Sequence, residues 1–117
     1  MPMELVRQYE FMARGDGCNA LRRHMARVTI CRRGGGLSKD PIQQGMVINV
    51  KTLDTQIWPV LHGLPYAIDC GIVRPPTLEN MATYLLGQMR CIVDVRDIRI
   101  LRVELQEYGS YYWVKTP

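Results

Sequence analysis

Hydrophobic and polar residues alternate along two stretches near the start of the chain, as expected for β-strands with one buried face. In residues 3–13 one side carries Leu5, Arg7, Tyr9, Phe11 and Ala13. In residues 21–33 one side carries Arg22, His24, Ala26, Val28 and Ile30. The second strand is unusual because a cation and a histidine head an otherwise apolar face.

Two later segments have helical spacing of apolar residues. The first begins at the end of GMVINV (45–50), and its apolar positions are Val50, Leu53, Ile57 and Leu61. Pro59 predicts an irregular end for this helix, and residues 62–76 are predicted to form a loop. The second helix begins at Thr77, a suitable N-cap, and its stripe predicts core packing. The stripe consists of Leu78, Met81, Ala82, Leu85, Leu86 and Met89.

Alternation returns in residues 98–107 (IRILRVELQE) and in YYWV at 111–114. Strict alternation in the first of these strands predicts one face with Ile98, Ile100, Arg102, Glu104 and Gln106. The order is therefore β-β-α-α-β-β. Sequential strands with short links pair antiparallel, and both helices must cover one sheet face to bury their stripes. We predict one α+β domain over residues 1–117, with a four-stranded antiparallel sheet and two helices on one face.

Composition narrows the class of protein. The 117 residues are 47% hydrophobic and 22% charged, enough for a sizeable core. No apolar run approaches the roughly 20 residues of a membrane span, and MPMELVRQYE lacks the features of a signal peptide, so we expect a cytoplasmic protein with no membrane partner. The net charge is +4, but the arginines are scattered, which favours a small-molecule ligand over nucleic acid.

Two further patterns have ordinary interpretations. The cysteines, Cys18, Cys31, Cys70 and Cys91, form no CxxC pair, so we expect free thiols. The segment RRGGGLSKDPIQQG has a triple glycine but lacks the Lys-Ser/Thr ending of a phosphate-binding loop. We therefore interpret it as a polar connecting loop.

Five short motifs follow one another along nearly the whole chain: YEFMA, CNAL, GMVINV, PTLEN and RVELQE. Together they resemble the family of 6-pyruvoyl-tetrahydropterin synthases and 6-carboxytetrahydropterin synthases. The resemblance implies the tunnelling fold, in which subunits assemble through sheet edges into barrels with active sites between subunits. We therefore expect a homo-oligomer, which the open edges of a four-stranded sheet also favour.

The family's zinc site is disturbed in this chain. Its enzymes bind zinc through three histidines. Gly15 stands at or near the place of the first, and LRRH stands where the family has HGH, so that Arg22 replaces one histidine and only His24 is kept. A catalytic zinc needs three protein ligands. We therefore predict no metal or other cofactor, with Arg22 supplying the positive charge. Cys18, His24 and His62 remain an alternative ligand set, because their atom types suit zinc.

The resemblance also implies roles for other side chains. Cys18 matches the family's catalytic cysteine, and His62 lies in the region of its Asp-His pair, although the aspartate is missing. Glu104 matches the late-strand glutamate that binds the amino-pyrimidine edge of a pterin. The predicted catalytic residues are Glu104, His24, Cys18 and His62, and the predicted substrate-binding residues are Arg22, Thr77, Glu79 and Arg102.

These retained and lost groups predict a metal-independent enzyme on a pterin-synthase-like scaffold. Acid/base groups without a Lewis acid suit a lyase, or an amine–aldehyde condensation and cyclisation of the Pictet–Spengler type, on a nitrogen heterocycle or aromatic amine. Two alternatives stay open. One is a zinc-dependent pterin synthase with unusual ligands, and the other is a non-catalytic protein that binds a pterin.

Overall fold

The computed structural model describes residues 3–34, 37–38, 45–92 and 98–117. Its elements are β1 (Leu5–Ala13), β2 (Arg22–Arg32), α1 (Val50–Asp69), α2 (Leu78–Ile92), β3 (Ile98–Glu107) and β4 (Val114–Lys115). The predicted order and the α+β class are confirmed. Residues 35–36 and 39–44, which belong to the predicted glycine-rich loop, lie outside the described residues.

The sheet has the order β1-β2-β3-β4, and every neighbouring pair is antiparallel. Its core face contains the apolar residues predicted for the first two strands, including Tyr9, Phe11, Ala26 and Val28, which are all buried. The last strand is shorter than predicted. Only residues 114 and 115 pair with β3, whereas 111–113 precede the ladder.

An extra residue in β3 changes which side chains face the core. Thr29 of β2 pairs with Arg102, but the next residue, Ile30, pairs with Ile100, so Leu101 is left without a partner opposite it. Alternation restarts at such a bulge. Val103 and Leu105 then continue the core face begun by Ile98 and Ile100. The prediction that Arg102 and Glu104 share a face with Ile98 and Ile100 was wrong for this reason.

Helix α1 is longer than predicted. It continues through Pro59 and Pro65 to Asp69, so the predicted loop over 62–76 was wrong for its first half. An interior proline costs about 3 kcal/mol. Burial of one large aliphatic side chain contributes about 1.5–3 kcal/mol. Four such side chains are buried after Pro59 at helical spacing, and together they offset the cost of both prolines. Those four are Val60, Leu61, Leu64 and Ile68.

The end of α1 is set by glycine. Gly71 has a φ of 78°, a conformation that residues with a Cβ rarely adopt. Its N–H donates to the carbonyl of Ile68 (3.1 Å), and the N–H of Ile72 donates to the carbonyl of Ala67 (2.9 Å). These two bonds form a Schellman motif, which closes the last turn of the helix.

Helix α2 has the N-cap and the buried stripe that the sequence predicts. The backbone N–H of Asn80 donates to Thr77 Oγ at 3.2 Å, and every residue of the predicted stripe is buried. Both helices contribute to one hydrophobic cluster with the core face of the sheet. Neither of the described helices combines the length and the apolar character needed to cross a membrane.

A polar cluster ties α1 to β1. Asp54 accepts hydrogen bonds from Arg7 Nε (3.2 Å), Arg7 Nη2 (2.8 Å) and the Tyr9 hydroxyl (2.7 Å). The bond from Arg7 holds the pKa of Asp54 below its ordinary value, so the carboxylate is ionised at neutral pH. Burial raises the pKa of Tyr9, which is 2% exposed and keeps its proton for this bond.

We predict that Asp54→Ala lowers the free energy of unfolding by about 1–3 kcal/mol, because it leaves the buried Tyr9 hydroxyl without an acceptor. Asp69→Ala is the matched control. It lies on the same helix, and its ion pair with Arg14 is exposed, so it should change stability little. Urea denaturation of both variants measures the difference. Equal losses would mean that the Asp54 cluster does not stabilise the packing of α1.

Candidate functional site

A cavity of about 520 Å³ opens at one end of the sheet. The antiparallel register brings three segments there, because Ala13 pairs with Arg22 and His24 pairs with Glu107. The end of β1, the start of β2 and the end of β3 therefore meet at one place, beside the first turn of α2. The lining residues are Gly15, Asp16, Gly17, Cys18, Arg22, His24, Pro76, Thr77, Leu78, Glu79, Met81, Glu107 and Tyr112.

His24 is buried at the wall of this cavity. The side chain is 1% exposed and stacks on Phe11, with ring centroids 5.5 Å apart. Its Nδ1 lies 2.9 Å from the carbonyl oxygen of Arg22. A carbonyl can only accept, so Nδ1 carries the hydrogen and Nε2 is left as an acceptor.

Nε2 of His24 has no hydrogen-bond partner among the described residues, although it is buried. Burial lowers the pKa of His24 below 6.5, so the ring is neutral at neutral pH. A buried acceptor without a donor costs about 1–3 kcal/mol. Nε2 is therefore an acceptor that none of the described donors satisfies.

Cys18 and Arg22 form the second reactive feature. Arg22 Nε donates to Cys18 Sγ at 3.1 Å, and Arg22 Nη1 donates to Glu107 Oε1 at 3.5 Å. The hydrogen bond from the guanidinium lowers the pKa of the Cys18 thiol below 9.0. A thiolate is the nucleophilic form of cysteine, so this contact favours reactivity. Arg22 therefore brings positive charge into the cavity, and Glu107 offsets part of it.

Two other predicted residues line the cavity from the first turn of α2. Thr77 uses its hydroxyl oxygen to cap the helix, which leaves its O–H free to donate. Glu79 is exposed, and its carboxylate has no hydrogen-bond or ion-pair partner within the part of the chain that the structure describes. Five of the eight predicted site residues thus meet at one cavity: Cys18, Arg22, His24, Thr77 and Glu79.

Glu104 and Arg102 lie on the opposite face of the sheet. Glu104 is 8% exposed, and its carboxylate lies 3.8 Å from Arg102 Nε and 3.9 Å from Lys115 Nζ. Arg102 also donates to Glu4 at 3.3 Å. The prediction that Glu104 shares a site with His24 fails within one chain, because the β3 bulge turns Glu107 toward the cavity instead.

His62 is also remote from the cavity. It is exposed on α1, where its ring stacks on Trp58 with centroids 5.4 Å apart. Trp58 in turn contacts Tyr9 edge to face at 5.2 Å. These contacts make His62 part of the α1–β1 packing and leave it out of the set formed by Cys18 and His24.

The zinc site that the resemblance implies does not fit these residues. Over residues 3–34, 37–38, 45–92 and 98–117, no three His, Cys, Asp or Glu side chains are grouped to hold a metal ion. His24 is the one histidine that lines the cavity, and Arg22 lines it too. A metal ion bound to His24 would therefore lie close to a positively charged guanidinium. The alternative ligand set of Cys18, His24 and His62 is therefore not assembled.

Sequence reasoning missed Glu107, Asp16 and Tyr112, which all line the cavity. A signal for Glu107 was present. Apolar residues of β3 fall on even numbers at Ile98 and Ile100 and on odd numbers at Val103 and Leu105. That change of phase indicates an extra residue between them. Nothing comparable in the local pattern marks Asp16 or Tyr112.

Comparison with known proteins adds no family assignment. No protein-family model matches the chain, and no curated protein matches it. The resemblance to the pterin synthases therefore rests on the short motifs alone.

We predict that Arg22→Gln raises the pH midpoint of Cys18 alkylation toward 9.0, because the variant loses the hydrogen bond that lowers the thiol pKa. Iodoacetamide labelling across pH, read by mass spectrometry of the tryptic peptide carrying Cys18, gives the midpoint. The exposed Cys91 is the reference in the same digest. An unchanged midpoint would show that Arg22 does not activate the thiol.

We also predict a pH dependence of stability from His24. Its pKa is lower in the folded chain than the 6.5 of an ordinary histidine. The unfolded chain therefore takes up the proton first, and the free energy of unfolding should fall as pH drops below about 6.5. His24→Gln should reduce this slope in urea denaturation between about pH 5 and 8. His62→Gln changes the exposed histidine, and an equal reduction there would contradict the assignment to His24.

Proposed function

We propose that the chain is an enzyme that acts on a small molecule in this cavity by acid/base and thiol chemistry, without a zinc site of three protein ligands. The observation that carries the proposal is Nε2 of His24. It is a buried and unpartnered acceptor on a neutral histidine that lines the cavity, and the same cavity is lined by Cys18, whose thiol has a lowered pKa. Thr29 Oγ1 and Gln56 Oε1 are also buried without a partner among the described residues, but neither of these residues lines the cavity.

The roles follow from the hydrogen-bond capacities of the side chains. His24 accepts a proton at Nε2. The backbone carbonyl of Arg22 accepts from Nδ1 and so keeps the ring in this tautomer. Cys18 is the second proton carrier or the nucleophile. Glu107 takes the substrate-anchoring role first assigned to Glu104, because it is the late-strand carboxylate that lines the cavity.

The arrangement suits condensation of an aromatic amine with an aldehyde, or an elimination of the lyase type. In the condensation, the amine nitrogen attacks the carbonyl carbon, and one amine proton moves to the oxygen to give a carbinolamine. The thiol form of Cys18 donates a proton to the hydroxyl group, which leaves as water and so forms an iminium cation. A ring carbon then attacks the iminium carbon, and a base removes the ring proton. Glu79 and Glu107 supply negative charge for the cation, and His24 supplies the base.

Turnover of candidate substrates tests the proposal. Aminopyrimidines, pterins and aromatic ethylamines are incubated with and without small aldehydes, and products are followed by liquid chromatography and mass spectrometry. We expect His24→Gln to lower the rate roughly a hundredfold or more. Cys18→Ser should also lose rate, and circular dichroism checks that both variants fold.

Glu104→Gln is the matched control for Glu107→Gln, since the two carboxylates lie on the same strand and opposite faces. We expect Glu107→Gln to weaken substrate binding and Glu104→Gln to retain activity. The reverse result would mean that Glu104 acts from a neighbouring chain of a homo-oligomer. Substrates that bind without any turnover would instead support the non-catalytic alternative.

A further inference from the structure

The segment between β3 and β4, residues 108–113, exposes three tyrosines and is called the strap below. Tyr108, Tyr111 and Tyr112 are 57%, 103% and 60% exposed, and Trp113 follows them. Exposed aromatic rings on one short segment indicate an interaction surface or the wall of a ligand site. The contacts of each ring distinguish the rings that hold the strap from the one that lies at the cavity.

A tight turn at the edge of the cavity begins the strap. The N–H of Ser110 donates to the carbonyl of Glu107 at 3.0 Å, and Gly109 has a φ of 85° within this turn. Gln106 Nε2 donates to the carbonyl of Ser110 at 2.7 Å and ties the turn to β3. Because Glu107 lines the cavity, the strap leaves β3 directly beside it.

Two arginines of β2 hold the ends of the strap from the outer face of the sheet, which is the face without helices. The guanidinium of Arg23 lies 4.9 Å from the ring centre of Tyr108, whose N–H donates to the carbonyl of Arg23 at 2.9 Å. The guanidinium of Arg27 lies 4.2 Å from the ring centre of Trp113. In the described parts of the chain, the Arg27 guanidinium has no hydrogen bond or ion pair, so this ring is its partner there.

Alternation turns Tyr112 to the opposite side from Trp113. Val114 pairs with Leu105 and packs against the core, so residues 112 and 114 face the helices while Trp113 faces Arg27. Tyr112 accordingly lines the cavity, and its 60% exposure places the ring at the rim. The contact between Arg27 and Trp113 on the outer face therefore fixes the position of the Tyr112 ring on the cavity side.

The ring of Tyr112 and the thiol of Cys18 share one opening. Cys18 lines the same cavity and is half-buried. An aromatic ring at the rim of a cavity of about 520 Å³ narrows the entrance through which a ligand reaches the thiol. The neighbouring Tyr111 is fully exposed and does not line the cavity, so its ring leaves the entrance open.

We propose that Tyr112 is a specificity-determining residue that limits the size of the groups that reach Cys18, and that Arg27 and Trp113 are positioning residues for its ring. As a limit on substrate size, the proposal rests on the proposed function. The access of a reagent to Cys18 is measured without turnover, so the two are tested separately.

Alkylation of Cys18 by a small and a large reagent of the same chemistry tests the proposal. N-methylmaleimide and N-(1-pyrenyl)maleimide react through the same ring, so the ratio of their rates is insensitive to a change in the thiol pKa. We expect Tyr112→Ala to raise the rate of the large reagent relative to the small one by about tenfold at Cys18. Mass spectrometry of the tryptic peptides gives both rates, and the exposed Cys91 is the reference whose ratio should not change.

Tyr111→Ala is the matched control, because it removes an adjacent ring that does not line the cavity. It should leave the ratio at Cys18 unchanged. Tyr112→Phe keeps the ring and should keep the ratio as well, and circular dichroism checks that all variants fold. An unchanged ratio in Tyr112→Ala, or an equal rise in Tyr111→Ala, would overturn the role of Tyr112.

The positioning role is tested at Arg27, which does not line the cavity. Arg27→Gln should raise the ratio at Cys18 in the same direction as Tyr112→Ala, whereas Arg27→Lys keeps a cation for the ring of Trp113 and should restore the low ratio. An unchanged ratio in Arg27→Gln would overturn this part of the proposal. Failure of these alkylation tests would leave the proposed function standing, and absence of turnover would leave the alkylation ratios as they are.

Discussion

The register of β2 against its two neighbours positions the residues of the cavity. Phe11 and Glu107 pair with His24 from either side, so one central residue is placed beside the end of β1 and the end of β3. A shift of one residue would turn every side chain of a strand to the other face. The bulge opposite Thr29 and Ile30 makes such a shift in β3 without disturbing β1, and Glu107 faces the cavity as a result.

Helix packing supplies the second wall of the cavity. The buried stripes of α1 and α2 cover the same sheet face, and Asp54 holds α1 to β1 through Arg7 and Tyr9. The two prolines of α1 are accommodated because large aliphatic side chains follow them at helical spacing. With both helices in place, Thr77 and Glu79 at the start of α2 lie over the end of the sheet.

The chemistry of the cavity arises from contacts that Arg22 makes with a histidine, a thiol and a carboxylate. Burial keeps His24 neutral, and the carbonyl of Arg22 directs its proton to Nδ1. The guanidinium of Arg22 acts on Cys18 and on Glu107, so one residue influences a base, a thiol and a carboxylate. Within the described part of the chain, no three His, Cys, Asp or Glu side chains are grouped to hold a metal ion, so the proposed chemistry relies on these side chains.

Local patterns in the sequence determined which side of β1, β2 and α2 is buried, where α2 begins, and that His24 stands at the head of an apolar face. These properties depend on spacing within one element, which the sequence records directly. Only the tertiary structure decided that α1 continues past its prolines and that Arg22 meets Cys18. For Glu107 the change of phase in β3 indicated the extra residue, and the strand register then placed its side chain at the cavity. These outcomes depend on packing and on strand register between distant segments, where one inserted residue exchanges the two faces of a strand.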